Sequence, residues 1–276
     1  MNNLPIPIYL WHREVSIFKI VTDNTNETDQ INRKSLSSEF KDSSRRAMII
    51  FPKVVLFDMD GVLYNSMPNH AVAWVKSMSE FGIHFTAEDA YATEGARGID
   101  TIRLYVKNQL GKDISLGKAQ QMYDVKTRYF HEMPEAPIFP GVIPLMRKIK
   151  SAGIQIGVVT GSGQRPLIKR LLDDFGEFLD KDHIVTAYDV KRGKPYPDSY
   201  LMGLEKAGKL SSAEGIVVEN APLGVRAGVA AQIFTIAVNS GPLPDDALTK
   251  EGANLIFNNM TDLLMAWDGI VKYKEQ

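Results

Sequence analysis

Six short apolar runs punctuate the chain, at residues 54–57, 154–159, 184–186, 216–218, 234–238 and, more weakly, 255–257. They are too short for helices and mostly apolar on both faces, which suits strands of a parallel sheet covered on each side. Between them, GVIPLMRKIKSAG, RPLIKRLLDDFG and PDSYLMGLEKAG space their apolar residues at helical intervals and end in glycine, the common residue past a helix C-terminus. Pro166 and Pro197 fall near helix starts, where a missing N–H costs little. The pattern predicts an α/β fold: a doubly wound parallel sheet.

One stretch breaks the alternation. Between residues 65 and 140 no convincing strand is visible, only helical patterns. Ala71, Trp74, Val75, Met78 and Phe81 share one face; Ile102, Tyr105, Val106 and Leu110 form a second stripe; Leu116, Ala119, Met122, Tyr123, Lys126 and Phe130 form a third. The expected organisation is a helical cap over 66–136 inserted into an α/β core of 48–65 and 137–276. MPEAPIFPG, with its three prolines, reads as the returning linker. Residues 22–46 are almost wholly polar and cannot bury enough surface to offset ordering, so 1–47 reads as a flexible lead, with Met48 an alternative start.

Composition narrows the chemistry. A net charge of −1 over 276 residues offers no basic field for nucleic acid or an acidic membrane. With no cysteine, disulfides, zinc–thiolate sites and cysteine nucleophiles are excluded. No apolar run approaches a membrane span, and Pro5, Pro7 and the His12–Arg13–Glu14 triplet interrupt anything like a signal peptide. A cytoplasmic protein acting on small molecules is the expectation.

Ligands of doubly wound sheets bind beyond the carboxyl ends of the strands. There the chain places Asp58-Met59-Asp60-Gly61, Thr160-Gly161-Ser162-Gly163, Arg192-Gly193-Lys194-Pro195 and Glu219-Asn220. Each group alone also reads as a turn, a helix cap or a solvated loop. Their convergence on one edge points to phosphoryl transfer. A carboxylate attacks phosphorus, a second carboxyl exchanges the proton, a T-G-S turn holds phosphoryl oxygens, and a lysine offsets charge. Hard oxygen ligands suit Mg²⁺.

This order of motifs, from about residue 54 to the C-terminus, resembles the haloacid dehalogenase superfamily, and the helical insert resembles the cap of its β-phosphoglucomutase-like subgroup. The resemblance implies Asp58 as nucleophile, Asp60 as general acid/base, Thr160 and Lys194 as the catalytic hydroxyl and lysine, and Gly161 and Ser162 as substrate-binding. It further implies a Mg²⁺ site of Asp58, Asp60, Glu219 and Asn220. Asn220 departs from the family's usual second carboxylate, which lowers the site's negative charge. FDMDGVLYNSMPNHAVAW, YATEGARG and VENAPLGVRAG look like a bacterial member that hydrolyses inorganic pyrophosphate. In that resemblance Glu94 reaches from the cap toward the metal region. His70 matches the position of the mutases' cap-hinge histidine, which contacts the core site, and Lys126 and Arg97 are candidates to neutralise phosphate from the cap side.

The expected activity is therefore a Mg²⁺-dependent phosphohydrolase acting on pyrophosphate through an aspartyl-phosphate. The alternatives are a sugar-phosphate phosphatase and a mutase of the β-phosphoglucomutase type. A silent phosphate-binding module has Asn220 as its only support, and retention of both Asp58 and Asp60 argues against it.

Overall fold

The computed structural model describes residues 50–162 and 165–271; the polar lead expected over 1–47 lies outside them. All six apolar runs form strands: β1 (Val54–Phe57), β2 (Gln155–Val159), β3 (Ile184–Val185), β4 (Gly215–Glu219), β5 (Phe234–Val238) and β6 (Leu255–Phe257). They pair in parallel in the order β3-β2-β1-β4-β5-β6. β1 is central, with Val54 opposite both Gln155 and Gly215. β3 stops short of Thr186 because Asp189 Oδ2 accepts from both the Thr186 N–H and its hydroxyl, turning the chain away.

Successive residues of a strand point to opposite faces, and the core divides accordingly. Val55 and Phe57 face one layer, with helices α5 (Val142–Ser151), α6 (Arg165–Phe175) and α10 (Met260–Ile270). Val54 and Leu56 face the other, with α7 (Asp198–Lys206) and α8 (Pro222–Ala230). A short α9 (Asp245–Thr249) precedes β6. Side chains such as Leu56 and Phe57 are wholly removed from water, each worth about 1.5–3 kcal/mol of burial.

The insert contains α1 (Met67–Glu80), α2 (Ala87–Ala92), α3 (Gly98–Leu110) and α4 (Leu116–His131). They enclose their own apolar cluster around Trp74, Met78, Phe85, Ile102 and Met122. Val75, expected on the buried face of α1, is more than a third exposed, because Ala71, Trp74 and Met78 already fill the inward stripe. Leu110 and Leu116, at helix ends, are exposed as well. The two linkers between insert and sheet pair with each other: Asn65 N–H donates to Pro137 O and Phe139 N–H to Leu63 O. No helix among the described residues is long and apolar enough to cross a membrane.

Candidate active site

The strand order changes direction between β1 and β4, the switch point at which doubly wound sheets open a crevice. Asp58 follows β1 directly, its N–H still in the ladder through Val218 O at 2.9 Å, and Glu219 ends β4. Lys194, from the loop before α7, reaches between them. Its Nζ donates to Asp58 Oδ1 at 2.5 Å, Glu219 Oε1 at 2.6 Å and Val159 O at 3.2 Å. Burial pushes the Asp58 carboxyl up to about 8; Lys194 pulls against this, and the negative Glu219 and Asp60 add to the rise. Burial also opposes the charge on Lys194, but the two carboxylates beside it hold the ammonium above its ordinary value.

Asp60 is presented differently. Gly61 adopts φ +81°, and a Cβ there would lie 2.0 Å from Asn220 Nδ2, so glycine alone lets the chain turn this close to β4. Ser66 Oγ then donates to Asp60 Oδ1 at 2.7 Å. His70 Nε2 stands 3.1 Å from the same oxygen but out of line for a good hydrogen bond. Burial raises the Asp60 carboxyl, yet its partners outweigh this and hold it at about 2. Burial and the neighbouring Lys126 charge lower His70 from its ordinary value, with Asp60 opposing them. Of the partners that lower Asp60, the His70 imidazole comes first, ahead of the Ser66 hydroxyl and Lys126.

Across the cleft, Lys126 is 2 % exposed, with Nζ 2.6 Å from His70 Nδ1 and 5.0–5.7 Å from the ring centres of Trp74, Tyr123 and Phe130. Burial lowers it to about 8. Asn220 Nδ2 donates to Glu94 Oε2 at 2.9 Å, joining insert to sheet. A carboxylate at position 220 would face Glu94 as a like charge, so the amide allows this contact. Burial and the nearby Asp58 push the Glu94 carboxyl well above its usual range, with the Asn220 bond opposing them.

A cavity of about 70 Å³ lies between these walls, lined by Asp58, Asp60, His70, Glu94, Lys126 and the 160–162 loop. That loop precedes α6, where N–H groups favour an anion, and Thr160 Oγ1 accepts from Ser162 N–H at 3.0 Å. Arg97 does not join the group expected to meet phosphate. Its Nε is held by Asp100 at 2.7 Å and its Nη1 donates to Lys191 O at 2.9 Å, so it braces the insert against the loop carrying Lys194.

The donor set fits a hard divalent cation. Asp58 and Glu219 gather about one ammonium, and Asn220 Oδ1 and Glu94 Oε1 are buried without a hydrogen-bond partner. No three His, Asp or Glu side chains among the described residues form a cage of their own. Mg²⁺ needs none, since it takes one or two carboxylates and completes its shell with water and substrate oxygens. Asp58, Asp60 and Asn220 suit that role. Glu219, expected beside them, differs: Oε1 accepts from Lys194 and Tyr200, and Oε2 from the N–H groups of Asn220 and Ala221. Its oxygens are committed to the protein, and it orients Lys194.

The family model for haloacid dehalogenase-like hydrolases matches residues 52–232, which spans the strand ends that carry these groups. The chain belongs to this family. Among haloacid dehalogenase-like relatives, hexitol phosphatase A of Escherichia coli K12 is 32% identical over 212 residues, covering 76% of this chain and 93% of that protein. A β-phosphoglucomutase of Bacillus subtilis is 24% identical, over 77% of this chain and 92% of that one. A solved structure from Bacteroides vulgatus, provisionally assigned as a β-phosphoglucomutase, is 44% identical with a TM-score of 0.77, covering 86% of this chain and 94% of that one. These haloacid dehalogenase-like relatives carry the expected superfamily and subgroup; they do not carry the narrower likeness to a pyrophosphatase.

Two residues at this haloacid dehalogenase-like site escaped sequence reasoning. Ser66 had a weak signal, a hydroxyl just before a helix. Tyr200 had none, because its ring satisfies the apolar face of α7 as well as any core residue.

Proposed function

We propose that the protein is a divalent-metal-dependent phosphatase that works through an aspartyl-phosphate on Asp58, acting on a monophosphate of a small sugar or polyol. The observation that carries the reaction type is the buried Asp58 carboxyl, held by Lys194 and open to a cavity that ends at the 160–162 loop. The names of its relatives, a hexitol phosphatase and a β-phosphoglucomutase, support the substrate class.

In this reading the 160–162 loop and Lys194 bind and orient the phosphoryl group. Asp58 attacks phosphorus, the bond to the leaving oxygen breaks, and Asp60 supplies that oxygen's proton. Asp60 rests ionised, so it takes up this proton from solvent as the negative phosphate arrives and raises its proton affinity. It then removes a proton from water, which attacks the acyl-phosphate and frees Asp58 and inorganic phosphate. Asp58, Asp60 and Asn220 would hold Mg²⁺, which would supply positive charge against the phosphoryl oxygens. The helical insert acts as a cap that excludes bulk water.

A second reading, pyrophosphate, draws on the cavity. At about 70 Å³ it holds on the order of five waters, a tight fit for a hexose, and Glu94 lines it. A phosphate-release screen with Mg²⁺ separates the two. Hexitol, hexose and glycerol phosphates turned over faster than pyrophosphate support the first; the reverse order selects the second. Conversion of a hexose 1-phosphate to its 6-phosphate without phosphate release would make the protein a mutase. No release from any compound, or release undiminished by chelator, overturns the proposal.

A further inference from the structure

Tyr200 lies behind the nucleophile, where no substrate reaches it. It sits in the first turn of α7, is fully buried, and its hydroxyl donates to Glu219 Oε1 at 2.7 Å. We propose that Tyr200 is a positioning residue for phosphoryl transfer, acting through Glu219 to keep Lys194 Nζ on Asp58. The inference rests on the proposed reaction.

Counting donors and acceptors carries the argument. An ionised carboxylate offers about four lone-pair directions, and Glu219 receives four donors: Lys194 and Tyr200 on Oε1, two backbone N–H groups on Oε2. Lys194 has three protons and three acceptors: Asp58, Glu219 and Val159 O. Nζ also lies 5.1 Å from the Tyr200 ring centre, so the tyrosine touches both members of the pair. The Glu219 carboxylate lies close against the backbone of α8, where a Cβ on Gly224 would stand 1.8 Å from Oε1. Within this saturated group the tyrosine hydroxyl is the only donor that neither belongs to the backbone nor touches the nucleophile. Its loss leaves Oε1 short of a donor where water has little access, and Lys194 is the nearest group able to compensate. The ammonium then shifts toward Glu219 and its bond to Asp58 weakens.

The test is Tyr200→Phe, which keeps the ring and the packing of α7. We expect kcat for phosphate release to fall about tenfold with KM within about twofold, because the hydroxyl touches no substrate. In a double-mutant cycle, adding Tyr200→Phe to Glu219→Gln should lower kcat no further than Glu219→Gln alone. Leu204→Val, on the same buried face and without a hydrogen-bonding group, serves as a packing control expected to lower Tm with kcat kept. Unchanged kcat in Tyr200→Phe overturns the inference, even if Tm drops, since that is what a purely structural tyrosine does. A full tenfold loss persisting in the Glu219→Gln background overturns it too, because the hydroxyl would then act by another route. Asp58→Asn, measured in parallel, keeps the questions apart: if it retains turnover, the aspartyl-phosphate reading fails rather than this one.

Discussion

On the sheet side of the cleft, Lys194 directs all three of its protons to acceptors and Glu219 receives four donors. On the helical side, Lys126 is as deeply buried yet meets only His70 and three aromatic rings, with no carboxylate within 4.0 Å among the described residues. Glu94 and His70 each keep a buried polar atom without a hydrogen-bond partner. Polar groups withdrawn from water cost free energy unless partnered. The Lys194–Glu219 pair on the sheet side is therefore complete as it stands, although the neighbouring Asn220 Oδ1 is not, whereas the helical side is finished only by something that enters. The saturated wall suits chemistry that demands fixed geometry; the unsaturated wall suits recognition of what the chemistry acts on.

The largest break in this contrast is on the complete wall. Asp58→Asn keeps the size of the side chain but removes the nucleophilic carboxylate. Phosphate release should fall by at least about 10⁴-fold, with Tm unchanged or raised, since the substitution relieves crowding among Asp58, Glu219 and Asp60. Turnover within about tenfold of wild type would refute Asp58 as nucleophile.

Lys126→Met tests the incomplete wall. Methionine matches the length of the lysine stem and suits an aromatic cage, so exchanging a buried ammonium for it should leave Tm unchanged or raise it. KM should rise by about 10–100-fold, the scale of a lost charge-assisted contact to substrate phosphate, and kcat should move less. Should KM stay put while Tm falls, Lys126 is a structural cation, and the two walls differ only in solvation.

How far the sequence disclosed this arrangement depends on the range of the interactions. The strands were legible because a parallel sheet buried on both faces leaves unbroken apolar runs, and Asp58, Thr160 and Glu219 were legible because each directly follows or ends one. Lys126 already stood out as a charge on an apolar stripe. The partner of Arg97 was not legible because Lys191 O lies ninety-four positions away, and a charge in a loop carries no sign of which backbone will claim it. Helix α2 was overlooked although Thr86 and Asp89 form a reciprocal capping box, a signal spaced three residues apart and readable in principle. Tyr200 was hidden for a different reason: one hydroxyl distinguishes a positioning residue from a core residue, and only the fold tells which side of α7 meets Glu219.

The smallest expected effect concerns the contact that joins the two walls. Asn220 Nδ2 holds Glu94 Oε2 across the cleft, and the Glu94 carboxyl takes up space beside the cavity. Glu94→Ala enlarges that space and removes one of the crowded carboxyl groups. The ratio of kcat/KM for a hexose phosphate to that for pyrophosphate should rise about tenfold, since pocket volume alone discriminates only modestly between substrates. The rise should come from two opposing changes: a better fit for the sugar, and loss of the cap contact that closes over the smaller compound. Glu94→Gln separates them, because its amide oxygen still accepts from Asn220 and fills the same volume. Its substrate ranking should stay close to that of wild type. If Glu94→Gln shifts the ranking as much as Glu94→Ala does, charge rather than space selects the substrate; if neither shifts it, the contact is a latch without a say in what is admitted.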